Sequence, residues 1–259
     1  MAKDKEPYKI IIGLLSLVIV LQWIFILGRT KKMPPPVLPI KGKIAIVIDD
    51  WGYNLNNLPL LQQIKYPLTV SVLPNLSYSH TVAGDARQRG FEIILHLPLE
   101  PREKLRLEKE TITTSMDEPT IRGILKKDLA DVSYAAGVSN HMGSRATENT
   151  RIMGIIFKEL KKRRLYFLDS LVSSDSVGFD LAHKIALGFI KRDIFLDNTE
   201  TPEYIKGQIY KLKTRARVYG QAVGIGHDRR VTLEVLKEVM PELEKEGYKF
   251  VFLSELIHQ

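Results

Sequence analysis

The chain has 259 residues and no cysteine. Disulfides and thiolate metal sites are therefore excluded, and any metal must be held by His, Asp and Glu. There is no internal repeat of fixed period, and no recognisable nucleic-acid-binding motif accompanies the net charge of +8. Lys and Arg are spread along the chain with acidic residues interleaved, so no nucleic-acid partner is expected. Length leaves no room for two large domains. With 44% hydrophobic and 26% charged residues, it suits one α/β domain of barrel size after a short leader.

The leader is the clearest local signal. Ile10 to Leu27 is an apolar run interrupted only by Gly13, Ser16 and Gln22. As a helix rising about 1.5 Å per residue, it just spans a hydrocarbon core. No small-x-small cleavage pattern follows Leu27, so an uncleaved signal anchor is expected over residues 10–28, after an N-terminal stretch 1–9. Lys3, Lys5 and Lys9 on one side balance Arg29, Lys31 and Lys32 on the other, so charge alone does not orient it. Residues 29–42 contain Pro34-Pro35-Pro36 and Pro39 and read as a semi-rigid spacer. The folded domain is expected over 43–259.

Beyond Gly42, short apolar runs alternate with stretches of helical period, the pattern of βα units and a parallel sheet. Eight strands are predicted at Ile44–Ile48, Leu68–Leu73, Phe91–His96, Gly137–His141, Leu165–Leu168, Ile194–Leu196, Ala222–Gly226 and Lys249–Leu253. Helices are expected over Asp117–Ala136, Glu148–Arg164 and Thr232–Lys245, with Pro241 kinking or ending the last. The fold class is an α/β, (β/α) barrel of seven to eight parallel strands. Such barrels build their sites at the C-terminal strand ends. Those ends carry Asp49 and Asp50, His96, His141, Asp169, Asp197, and His227 with Asp228. Sulfur-free imidazole and carboxylate ligands suit a catalytic zinc or similar divalent ion, with a second carboxylate as general base and a histidine as general acid. Together they describe a metal-assisted amide hydrolase.

These residues carry a family resemblance. Ile48-Asp49-Asp50 resembles the opening motif of NodB-homology polysaccharide deacetylases, Gly90 to His96 resembles their Gly-x-Glu-Ile-x-x-His strand, and Ala222 to Asp228 resembles their last motif. The divergent polysaccharide deacetylase branch is closer still. Ile48-Asp49-Asp50-Trp51-Gly52, His96-Leu97-Pro98-Leu99-Glu100-Pro101, Asn140-His141-Met142-Gly143-Ser144 and Phe167-Leu168-Asp169-Ser170 are similar to its motifs, in the same order over about Lys43 to Ile257. The resemblance implies Asp49 as catalytic base, His227 as catalytic acid, and Asp50 and His96 as ligands of a divalent metal, zinc by preference.

Two departures from the standard family shape the rest. Glu100 stands where a second metal histidine would be, and Asn140-His141-Met142-Gly143 replaces an Arg-x-Pro-Tyr segment. His141 is therefore expected as the third ligand, with Glu100 and Asp169 as candidate ligand or orienting carboxylates. Asp197 and Arg145 are expected to face substrate. The implied activity is removal of N-acetyl or O-acetyl groups from a cell-envelope polysaccharide, by an enzyme of the cytoplasmic membrane of a bacterium with its domain outside. Two alternatives stay open at this stage. One is a non-catalytic carbohydrate-binding or scaffold protein; the other is a different ester or phosphate hydrolase, for which Arg145 and Arg229 would hold the anion.

Overall fold

The computed structural model describes residues 7–28 and 39–257. The N-terminal stretch to residue 6 and most of the expected spacer, 29–38, lie outside the described residues. Two compact units divide at Pro39 and Ile40. The first contains helix α1 (Pro7–Gly28). Its Tyr8–Phe25 segment has mean hydropathy 2.1 and no buried residues, so it is long and apolar enough to cross a membrane.

The second unit begins with strand β1 (Gly42–Trp51), helix α2 (Leu58–Leu61), β2 (Thr69–Val72) and α3 (Ser79–Gln88). It continues with β3 (Glu92–Leu99), α4 (Glu118–Asp131), β4 (Gly137–Met142), α5 (Thr150–Lys162), β5 (Tyr166–Asp169), α6 (Gly178–Ile185) and β6 (Phe189–Lys191). After β7 (Ile194–Phe195) come α7 (Pro202–Tyr219), β8 (Gln221–His227), α8 (Arg230–Lys245) and β9 (Tyr248–Val251). All strand pairings are parallel, in the order β6-β5-β4-β3-β2-β1-β8-β7. This is the expected (β/α) barrel, left open between β6 and β7.

The last strand is where expectation and structure part. β9 pairs with β1 at Gly42–Ala45, whereas β2 pairs with β1 only from Val47 on. Because β8 fills the other edge of β1, β9 lies in line beneath β2 and takes no place of its own in the ring. The eighth position goes to β6, a three-residue strand too short to register as an apolar run. Helix α8 passes through Pro241 unbroken to Lys245. The missing donor is tolerated in its last turns, where Val239, Met240 and Leu243 stay buried against the sheet.

Period-2 alternation sorts each strand into two faces. Ala45, Val47, Ile94, Tyr166, Leu168, Val223 and Ile225 fill the barrel interior with Val251, Leu253 and Leu256, while Ile44, Ile46, Ile48, Ile93 and Leu95 join the larger core beneath the helices. α5 shows how a helix is fixed here: Asn149 Oδ1 accepts from the N–H of Arg151 and Ile152, and Ile152, Ile155, Ile156 and Leu160 are its buried face.

One buried carboxyl on this scaffold predicts a pH signature. Asp128 is 1% exposed, and its Oδ1 accepts from Asn75 Nδ2 at 2.7 Å while Oδ2 has no partner. Burial raises its pKa from 3.8 to about 7. Between those values the folded chain holds a proton that the unfolded chain has released. The contribution of Asp128 to stability is therefore full below pH 3.8 and is lost as pH rises towards 7. Asp128→Asn keeps the acceptor and should remove that loss. Relative to the parent, we expect it to gain on the order of 2 kcal/mol between pH 4.5 and 7.5 in denaturant titrations.

Candidate active site

The interior face that carries Ala45 and Val47 reaches Asp49 two residues on; Ile94 leads likewise to His96, and Val223 and Ile225 lead to His227. On β4 the same face presents Ser139 and His141, registered against His96 and Pro98 of β3. Asp49 pairs in register with His227 across β1 and β8. Parity alone therefore gathers these groups at one end of the barrel.

Asp50 would point to the opposite face of β1. Its φ of 66° and the register shift between Ile48 and Trp51 turn it back into the site. A non-glycine residue in the left-handed region costs backbone energy and persists only where its surroundings hold it. Here His141 Nδ1 and His96 Nε2 lie 3.0 and 3.2 Å from Asp50 Oδ1. Those two nitrogens are 3.2 Å apart.

This triangle of potential ligand atoms fits a metal ion. Ligands about 2.0–2.1 Å from a tetrahedral zinc stand about 3.3 Å from one another, close to all three edges. Asp50 Oδ1 is buried without a hydrogen-bond partner, a polar atom that an ion would organise. His96 Nδ1 lies 2.7 Å from Ser139 Oγ, which in turn lies 2.8 Å from Ser71 Oγ. A proton on Nδ1, donated to Ser139 Oγ, would leave Nε2 free to ligate an ion. Burial would raise the Asp50 pKa, but the two imidazoles outweigh it and hold the carboxyl well below the ordinary carboxylate range. Asp49, 2% exposed, is pushed up by burial, with His96 and His227 opposing.

Across from the triangle stands a second pair. His227 Nδ1 lies 2.7 Å from Asp197 Oδ1, and Asp197 Oδ2 accepts from the His227 N–H and Thr232 Oγ1 at 2.8 and 2.7 Å. Arg229 Nη1 donates to the Asp197 carbonyl. Asp197 is wholly buried; these donors, His227 foremost, overcome the burial effect and keep it ionised. Its charge in turn raises the His227 pKa above 6.5 against the opposing effect of burial. Asp197 thus orients an imidazole, a different task from the substrate contact expected of it.

The remaining expected residues fall elsewhere. Glu100 Oε2 accepts from the N–H and Oγ1 of Thr114, and Oε1 takes Arg145 Nη1 at 3.2 Å. Those donors lower its pKa against burial. Its carboxylate ties the segment after β3 to the loop after β4 and is not in the ligand triangle. Arg145 is correspondingly spoken for. Asp169 has the outward parity of Phe167, and its oxygens accept from Leu171 N–H and Ser176 Oγ, which holds the loop after β5. Ser139 and Ser71 escaped notice in the sequence, although Ser139 shares the face of His141 two residues on. Glu100→Ala should leave metal stoichiometry unchanged and metal affinity within about threefold, while costing about 1–3 kcal/mol of stability from stranded donors. Metal titration beside thermal unfolding checks both halves.

A parallel βα barrel with an Asp-His-His ligand triangle and an Asp-supported histidine at its strand ends defines a deacetylase-type hydrolase scaffold. The model for divergent polysaccharide deacetylases matches residues 46–257, and the chain belongs to that family. It is 35% identical over 208 residues to the uncharacterized protein YibQ of Escherichia coli, which covers 80% of this chain. The chain spans 65% of the length of that relative. The crystal structure of the uncharacterized protein ATU2773 from Agrobacterium tumefaciens superposes with a TM-score of 0.79 at 23% identity, over 86% of this chain and 92% of that one. A CE4 family pseudoenzyme from Bacillus anthracis, BA3943, shares the fold at a TM-score of 0.52 and 14% identity, over 84% and 65% of the two chains.

Proposed function

We propose that this protein is a metal-dependent hydrolase that removes acetyl groups, N-linked by preference, from a cell-envelope polysaccharide. The observation that carries the reading is the triangle of Asp50 Oδ1, His96 Nε2 and His141 Nδ1, with edges of 3.0 to 3.2 Å. A divalent ion such as zinc held there would supply Lewis acidity at the acetyl carbonyl and acidify a water molecule.

The chain's own groups supply the proton chemistry. Asp49 Oδ1, buried, without a hydrogen-bond partner and 3.7 Å from His96 Nδ1, accepts a proton from the attacking water. His227 spends Nδ1 on Asp197, so its other ring nitrogen delivers a proton to the departing amine as the C–N bond breaks, leaving acetate and a free amino sugar. Arg145 and Arg229 already face Glu100 and Asp197 with Glu200, which argues against a phosphate-holding role. In this reading α1 anchors the chain in the cytoplasmic membrane and the barrel works outside it on glycan.

Purified full-length protein should contain about one divalent ion per chain and release acetate from peptidoglycan or chitooligosaccharides, with activity lost to chelation and regained with zinc. A metal-free protein that binds glycan without releasing acetate would replace this reading with the non-catalytic one.

A further inference from the structure

The end of the barrel opposite the site has its own chemistry. Because every strand is parallel, the turns that lead into them share one pole. That pole gathers Lys41 and Lys249 at the starts of β1 and β9, Arg164 before β5, Lys184 at the end of α6, and Arg217 at the end of α7. All five are exposed, and none has a carboxylate partner among the described residues. Lys161, Arg164 and His183 also line a recess of about 740 Å³ there, floored by Tyr166, Leu187 and Ile257.

Apolar side chains stand among these cations. Ile40, Tyr134, Val218 and Tyr219, all in or beside turns leading into strands, are 58%, 63%, 67% and 68% exposed. The opposite pole gathers the carboxylates Asp49, Asp50, Glu100, Asp197 and Asp228 at the site, with Arg102, Arg145 and Arg229 paired to carboxylates or backbone beside them. Exposed aromatic and aliphatic groups set among unpaired Lys and Arg are the composition of a surface that meets a bilayer interface.

The tether is attached to the same pole. The chain enters β1 at Gly42 after leaving α1 at Gly28, a stretch that reaches at most about 50 Å when fully extended. We infer that this basic, aromatic pole docks on an anionic phospholipid surface. The orientation that docking gives the site rests on α1 being a membrane anchor; the docking itself needs only the basic pole. Docked this way, the barrel holds Asp50 and His227 away from the bilayer and towards glycan, and cation-to-headgroup attraction fixes an orientation that the tether alone would leave free.

The absence of cysteine makes single-site labelling direct. Full-length protein carrying Val218→Cys, or Leu105→Cys at the opposite pole, is labelled with a fluorophore and reconstituted with phosphatidylcholine vesicles, with or without 30% phosphatidylglycerol, containing a nitroxide-labelled lipid quencher. On anionic vesicles the 218 probe should be quenched at least twofold more than on neutral ones, and the 105 probe should not. Raising salt to about 0.5 M, or introducing Lys41→Gln, Lys184→Gln, Arg217→Gln and Lys249→Gln together, should return the 218 signal to its neutral-vesicle level.

Co-flotation separates the two readings. Protein that floats on both vesicle types with equal 218 quenching keeps the anchor and overturns docking. Protein that floats only on anionic vesicles, with 218 quenched, supports docking and removes the anchor; flotation on neither overturns both.

Discussion

Replacing His96 with alanine should leave a folded chain that no longer retains its ion and has lost about a thousandfold or more in kcat/KM for acetate release. Each tenfold loss corresponds to about 1.4 kcal/mol, so this asks some 4 kcal/mol of one ligand. The demand is reasonable because removing an imidazole from a three-membered set leaves only Asp50 and His141, whose ligand atoms stand 3.0 Å apart. Ser139→Ala is the graded control. Of the three ligand residues Ser139 hydrogen-bonds only His96, at its far nitrogen, so its loss should weaken metal binding by about 10- to 100-fold and no more. Inductively coupled plasma analysis, zinc titration and single-substrate kinetics on the two variants check the order. Equal effects, or an active His96→Ala protein, would remove the ion from the mechanism.

Much of this architecture was legible before any coordinates, because a parallel barrel writes itself into sequence as apolar runs of period 2 with chemistry at their ends. Asp49, His96, His141 and His227 could be read in this way, since each extends the interior face of its strand. What escaped the reading depended on contacts between distant residues or on local backbone. The turn of Asp50 into the site needs a φ of 66° that no residue pattern announces. Asp197 lies 30 residues from His227, and only the pairing of β7 with β8 brings them together. Glu100 occupies a ligand's place in the sequence, yet Thr114 and Arg145 satisfy its oxygens, an outcome set by where the long segment after β3 folds. Asp169 could have been separated from the others by parity, since it falls on the face opposite Leu168. β6 was missed because Phe189-Ile190-Lys191 is half exposed and borrows its stability from β5.

The second large effect belongs to His227. Its replacement by alanine should lower kcat for N-acetyl substrates by about 10²–10⁴-fold, the usual worth of a positioned general acid. The pH profile gives an independent reading. Asp197 raises the His227 pKa above 6.5, so the protonated acid predominates at pH 6.5 and is lost as pH climbs through the raised value. Activity should therefore fall on the alkaline side, and Asp197→Asn should move that fall to lower pH by removing the charge that sustains the proton. A change of leaving group sharpens the test. Nitrophenyl acetate loses its aryl oxygen as a stabilised phenolate that needs no proton when the C–O bond breaks, so His227→Ala should spare its hydrolysis while His96→Ala abolishes it. If His227→Ala damages both substrates equally, the histidine's part lies in binding or in structure, and the amine would have to take its proton from elsewhere.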